Sequence, residues 1–181
     1  MTVVLSVVAS DTAPPLRLRP WAGDDARDLA LAHRDPLMRR FLASRVTSED
    51  HARRWIQDQE EGWANGTRLA FAIVECGPDS ERLAGHIVVK RKAADSAEVG
   101  YWTLAEVRGR GVASRSLEVV ARWALRDQRI MPLTRIELLH AVDNPASCRV
   151  AEKCGFALTE LIPAHPPRYP AEAHRHLREA H

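Results

Sequence analysis

The sequence predicts a single α/β (α+β) domain, with a mixed, mostly antiparallel central sheet of about six to seven strands flanked by helices. Three observations lead there. Between Thr67 and Leu104, apolar residues recur with period two in three consecutive segments joined by short turns, the pattern of an antiparallel meander. After Gly111 the period lengthens to that of a helix, with Ala113, Leu117, Val120 and Ala124 on one stripe. Extended and helical segments then alternate, giving the order β-α-α-β-β-β-α-β-α-β-β.

Each element has a local cause. Leu16 to Trp21 alternates apolar and basic side chains, and Pro20 closes that strand. Asp24 and Asp25 supply the acidic first turn of a helix that ends at Asp35-Pro36. Thr47 or Ser48 caps a second helix in which Ala52, Trp55, Ile56 and Gln59 share a face; it runs to about Glu61, and Asn65-Gly66 turns the chain. The meander strands are Leu69 to Val74, Leu83 to Val89 and Ala97 to Leu104, separated by Gly77-Pro78-Asp79-Ser80 and by Lys90 to Ser96. The helix after Gly111 is expected to be the longest. Arg135 to Leu139 forms a strand, and Pro145 to Cys154 a helix closed by Gly155. Phe156 to Ile162 forms a further strand, Pro163 to Pro170 an extended loop, and His174 to Leu177 a last edge strand. Residues 1–15, ending in Ala13-Pro14-Pro15, read first as a flexible leader and second as an added edge strand, ahead of one domain over residues 16–181.

Bulk properties exclude several classes. A chain of 181 residues suits one hydrophobic core. Its 26 basic and 24 acidic residues leave a net charge of +2, so no nucleic-acid partner is indicated. Arg115, Arg122, Arg126 and Arg129 read as a solvated helix face, interrupted by Glu118 and Asp127. The three cysteines form no CxxC pair, and no basic leader precedes the apolar start, so a cytoplasmic location is expected. No apolar run reaches the ~18 residues of a membrane span. His165, His174, His176 and His181 are joined by no cysteine or carboxylate pattern, so no metal is expected.

The most informative stretch is Arg108-Gly109-Arg110-Gly111-Val112-Ala113-Ser114, between a strand and the start of a helix. The first helical turn leaves backbone N–H groups unpaired, glycines let the chain wrap closely, and the helix dipole adds partial positive charge, so the turn favours phosphate. Arg108 and Arg110 add full charges. The dinucleotide pattern GxGxxG fails because Gly109-Arg110-Gly111 continues as Val112-Ala113-Ser114, and the Gly-Lys-Ser/Thr of a P-loop is absent.

The turn does match Arg/Gln-x-x-Gly-x-Gly/Ala through Arg108, Gly111 and Ala113, the pattern of GNAT acetyltransferases. Upstream, Glu98-Val99-Gly100-Tyr101-Trp102 resembles a strand of the RimJ/RimL-type branch of that superfamily. Downstream, Asn144 to Ser147 and Ala151-Glu152-Lys153-Cys154-Gly155-Phe156 resemble its N-x-x-S and AEKxGF segments.

The resemblance implies acetyl-CoA as cosubstrate and transfer of its acetyl group to an amine acceptor. That acceptor is a peptide N-terminus by branch resemblance, or else a small-molecule amine, an amino acid or an antibiotic. It implies that the backbone of Trp102-Thr103-Leu104 pairs with pantetheine and polarises the thioester, and that the turn from Arg108 to Ser114 holds the pyrophosphate. Asn144 either caps its helix or bonds the pantetheine arm. Ser147 takes the place of the tyrosine acid that many members carry, because Ala151 occupies the tyrosine's position; that gap leaves room for a CoA-binding pseudoenzyme. Glu98 ranks first and His140 second as the base, with Glu137 and His86 as further candidates and a structural role open to each. The first two helices, the linker Met38 to Thr47, the loop Pro163 to Pro170 and aromatics among Trp21, Trp55, Trp63, Tyr101 and Trp102 are expected to form the acceptor side. A homodimer is the family-level expectation.

Overall fold

The structure is a computed structural model that describes residues 3–42, 45–78, 80–166 and 171–180. Eight strands form one sheet: β1 (Leu5–Val7), β2 (Leu16–Pro20), β3 (Arg68–Cys76), β4 (Glu81–Arg91), β5 (Ser96–Thr103), β6 (Arg135–Ala141), β7 (Ala157–Ile162) and β8 (Ala173–Glu179). Their spatial order is β1-β2-β3-β4-β5-β6-β8-β7, one more strand than the upper expectation. The helices are α1 (Ala26–Ala32), α2 (Pro36–Phe41), α3 (Glu49–Asn65), α4 (Val112–Arg126) and α5 (Pro145–Lys153).

Alternation along the buried strands divides the interior into two layers. On β3, Leu69, Phe71 and Ile73 face a core shared with Leu117, Val120 and Ala124 of α4, whereas Ala70 and Ala72 face one shared with Leu29 of α1 and Ile56 of α3. A strand buried on both faces reads as a continuous apolar run, which is what residues 69–74 do.

The structure corrects the sequence reading in four places. Part of the expected leader is ordered: β1 pairs antiparallel with β2, and Arg115 of α4 donates to the Val8 and Pro14 carbonyls at 2.7 and 2.9 Å. The first helix ends before Asp35-Pro36 as expected, but Pro36 then starts a second, short helix that the sequence reading lacked. Its missing N–H is tolerated at the first position, and Asp35 caps α2 by accepting from Leu37 N at 2.7 Å. The longest helix is α3, with 17 residues against 15 in α4, because Ser48 caps its start and Gly66 ends it at φ +66°. The last strand, β8, is interior: it lies between β6 and β7, and β7 takes the edge. Asp79, residues 43–44 of the linker and residues 167–170 of the acceptor-side loop fall outside the described residues, as do Met1, Thr2 and His181. Among the described residues no helix is long and apolar enough to cross a membrane.

The strand order places one parallel pair, β5 with β6, inside an otherwise antiparallel sheet. Its ladder joins only Ser96–Val99 to Arg135–Leu138. Beyond it the strands keep their outer partners, β4 for β5 and β8 for β6, and separate from each other. Such a gap leaves backbone donors and acceptors unpaired in the middle of a sheet, where they must find a partner other than a strand.

Candidate active site

The gap opens into a cleft of about 420 Å³. Tyr101, Trp102 and Thr103 of β5 form one wall, and Asn144, Ala146, Ser147 and Val150 of the α5 region form another. Gly109, Gly111, Val112, Ala113 and Ser114 close one end, and Leu37, Met38, Phe41 and Leu42 of the α2 region line the rest.

The strand chemistry distinguishes the three residues expected to meet pantetheine. Leu104 N donates to Ala84 O at 2.9 Å, so its N–H points to β4. Alternation then sends the Trp102 N–H to β4 as well, and the polar groups of Tyr101 and Thr103 to the open side. The Thr103 carbonyl agrees, since it accepts from Arg108 Nη2 at 3.2 Å. Thr103 is therefore the residue of that expected trio with backbone groups facing the cleft. Tyr101 joins it, and Leu104 is not among the residues lining the cleft.

At the turn, Gly109 and Gly111 both have φ +75°, a conformation that L side chains rarely adopt. Gly111 is the N-cap of α4, and no side chain among the described residues caps that helix. The first-turn N–H groups thus face the cleft with only the dipole's positive end behind them, a ready anion site. The two arginines are engaged differently from expectation. Arg108 lines the cleft but pairs with Asp35 at 2.6 Å. Arg110 does not line it; its guanidinium is turned to Glu75 at 2.9 Å. What the turn directs toward the cleft is backbone N–H, with Arg108 beside it.

Asp35 holds two structures at once, the start of α2 and the Arg108 side chain. Burial raises its carboxyl pKa, but the Arg108 hydrogen bond and the Leu37 and Met38 N–H groups outweigh that and hold it below the usual carboxylate range. Asp35→Ala is expected to lower stability by about 1–2 kcal/mol through loss of the cap and the pair. Urea unfolding checks it, and an unchanged midpoint would deny Asp35 that double role.

Ser147 lies in the cleft, three residues into the segment that Asn144 opens. Asn144 Oδ1 accepts from Ser147 N at 3.3 Å, so Asn144 is a helix cap as well as a cleft-lining residue. The Tyr101 hydroxyl is buried without a well-formed hydrogen bond. Burial pushes its pKa up to about 12, eased by the neighbouring Ser147 hydroxyl. Tyr101 was legible only as a possible wall of the acceptor site; its pairing with Ser147 depends on α5 packing over β5.

The structure does not bring Glu98 or His140 into the cleft. Glu98 lies in the paired Ser96–Val99 stretch, before the strands part, and is held by Lys90 at 3.2 Å and Lys92 at 3.7 Å. Glu137 sits in the same network, with Arg175 at 3.6 Å. His140 turns its Nε2 to His176 at 3.1 Å, and His86 is buried against Trp21. Of the five aromatics expected on the acceptor side, Trp21 and Trp55 pack edge-on with ring centres 5.3 Å apart beneath the sheet. Trp63 packs edge-on against Phe71 in the other core, and only Tyr101 and Trp102 reach the cleft. Among its described lining residues there is no carboxylate and no histidine.

Comparison with known proteins agrees with this architecture. Residues 15–157 match the family described as acetyltransferase (GNAT) domain. No curated protein matches the chain by sequence. Among solved structures, RimL, a ribosomal L7/L12 alpha-N-protein acetyltransferase in complex with coenzyme A, superposes with TM-score 0.78 at 22% identity, covering 97% of this chain and 98% of its own. A structure named as that of a putative ribosomal-protein-serine acetyltransferase from Vibrio cholerae superposes with TM-score 0.77 at 19% identity, covering 97% of each chain. The microcin C7 self-immunity acetyltransferase MccE, in complex with acetyl-CoA and AMP, gives TM-score 0.78 at 18% identity, covering 94% of this chain and 93% of its own. At these identities the likeness is one of fold.

Proposed function

Because the chain belongs to the acetyltransferase (GNAT) family, we propose that it transfers the acetyl group of acetyl-CoA directly to a primary amine, with a protein or peptide N-terminus as the acceptor. The observation that carries this reading is the junction of two features: a strand gap into which the backbone groups of Tyr101 and Thr103 turn, running into the uncapped start of α4. The first suits an extended amide-bearing arm and the second its pyrophosphate. The branch assignment rests on the motifs and on the fold shared with RimL and the Vibrio cholerae protein.

The acceptor nitrogen attacks the thioester carbonyl, and a C–N bond forms as the C–S bond breaks. Negative charge collects on the carbonyl oxygen, where the Thr103 or Tyr101 N–H can donate to it; such donors contribute several kcal/mol in acyl transfer. The thiolate leaves with a proton from Ser147, which regains one from solvent. With no carboxylate or histidine among the described lining residues, the ammonium proton goes to water. The attacking species is the small neutral fraction of an α-amine of pKa near ~8.

Thiol release from acetyl-CoA in the presence of peptides with free α-amines tests the proposal, with N-blocked peptides as controls and small polyamines and amino acids as competing acceptors. Turnover on free peptide N-termini alone supports it, and turnover confined to small amines would transfer the assignment to them. Ser147→Ala is expected to lower kcat roughly tenfold with little change in KM, a modest effect because a thiol of pKa ~8.5 is already a good leaving group. Equal kinetics would reduce Ser147 to a lining residue.

A further inference from the structure

The expectation of no metal rested on the lack of a cysteine or carboxylate pattern beside His174 and His176. The fold supplies what the sequence lacks. β6 and β8 are antiparallel neighbours with His140 directly opposite His174, and His176 lies two residues further along the same face of β8. Cys148 of α5 comes down over that face. One ligating atom from each of His140, Cys148, His174 and His176 lies within 4.8 Å of all the others.

Two features show that these side chains are not merely packed. His140 Nδ1 lies 2.9 Å from the Ala141 carbonyl and His176 Nδ1 lies 3.3 Å from the Phe156 carbonyl. A carbonyl only accepts, so both rings carry their hydrogen on Nδ1 and turn an Nε2 lone pair inward. Those lone pairs then face each other at 3.1 Å, His176 being fully buried and His140 9% exposed. Two lone pairs at that distance repel unless a cation stands between them. The second feature is His174 Nδ1, a buried nitrogen with no hydrogen-bond partner among the described residues.

From this convergence we infer a tetrahedral transition-metal site, of the kind that takes Zn²⁺, formed by His140, Cys148, His174 and His176. Zinc at ~2.05 Å from nitrogen and ~2.3 Å from sulfur sets tetrahedral ligand separations of about 3.4 Å for N···N and about 3.6 Å for N···S. The observed 3.1 Å between His140 and His176 and 3.9 Å between Cys148 and His176 bracket those values within a few tenths of an ångström. The backbone carbonyls behind the two Nδ1 atoms are the outer partners that orient metal-bound histidines. On binding, the ion replaces the Cys148 thiol proton, now directed 3.6 Å to Glu152, and that proton passes to solvent. Four protein ligands leave no open position, so the ion is a structural clip. It fastens α5, which carries Ser147, to β6 and β8, and this role is independent of acetyl transfer.

The test is cobalt substitution of the tag-free, reduced, full-length protein. Expected are uptake of one Co²⁺ per chain, intense visible bands of a tetrahedral centre, and a near-ultraviolet thiolate-to-cobalt band that disappears in Cys148→Ser. Zinc should displace the cobalt stoichiometrically and raise the thermal midpoint of the wild type but not of His174→Ala. The wild-type spectrum alone reports thiolate ligation, so the test survives a variant that fails to fold. No stoichiometric uptake, an octahedral spectrum, or a thiolate band unaffected by Cys148→Ser would overturn the site and leave a shared proton between His140 and His176.

Discussion

Gly85→Ala is expected to destabilise the domain by about 3 kcal/mol and to weaken acetyl-CoA binding as well, although Gly85 does not line the cleft. A Cβ placed on it would lie 2.4 Å from the Trp102 carbonyl oxygen and 3.2 Å from Thr103 Cα. Both are backbone atoms of a central strand, so relief requires β4 and β5 to move apart. The register explains the crowding. Ile73 pairs with Gly85 but Val74 with Leu83, leaving Ala84 as an extra residue that bends β4 against β5. The displaced segment is Trp102–Thr103, and the backbone groups of Thr103 face the cleft. For a chain of this size the loss corresponds to a fall in thermal midpoint of roughly 6–12 °C. A variant with the parent's midpoint and affinity would show that β5 is not held in place by β4.

Acid should destabilise the protein well above the carboxylate range, through His86. Burial drives its pKa down to about 3, with Lys90, Arg68 and His33 adding repulsion to the charged form and only the Phe71 carbonyl opposing. Burial therefore keeps the native ring neutral, with its Nδ1 3.0 Å from the donating Trp21 indole nitrogen and 3.2 Å from the Phe71 carbonyl oxygen. The folded pKa lies below the unfolded value of about 6.5, so the stabilisation is intact above pH ~6.5 and is lost as the pH falls from there toward 3. The slope is about 1.4 kcal/mol per pH unit, or about 2 kcal/mol between pH 6.5 and 5. Burial also lowers the pKa of His33 and His140, which act in the same direction. Chemical denaturation at pH 7.5 and pH 5 should therefore show a large loss in the wild type and a loss about 2 kcal/mol smaller in His86→Gln, whose side chain can still accept from Trp21. Equal losses would mean that His86 is not buried as a neutral base.

What the sequence made legible is local in the chain. The uncapped glycine turn before α4, the Asn144–Ser147 opening of α5 and the period-two meander each occupy a few consecutive residues. Their conformations follow from glycine φ, capping chemistry and side-chain alternation, so they can be read without a partner. Pro36 misled because its two possible meanings, helix breaker and first helical residue, differ only in whether Asp35 turns its carboxylate onto the Leu37 N–H. The leader misled because what orders it is Arg115, about a hundred residues away. Separation along the chain also hid the engagement of Arg108 by Asp35 and of Arg110 by Glu75. Glu98 sat in the right motif, but it lies where β5 is still paired with β6, before the gap opens, and two lysines hold it there. The histidine and cysteine cluster was invisible for a further reason: its four members come from three elements whose juxtaposition depends on β8 inserting between β6 and β7.

The central claim is that the cleft between β5 and β6 binds acetyl-CoA with its pyrophosphate on the start of α4. Isothermal titration of the protein with acetyl-CoA, set beside ATP and NAD and repeated with Gly111→Val, tests it most directly. A Val at φ +75° is strained and reorients the first-turn N–H groups. The account predicts saturable, equimolar binding of acetyl-CoA alone, weakened by a factor of about ten or more in a variant that keeps its fold. No binding by the folded wild type, or the same affinity in Gly111→Val, would contradict it.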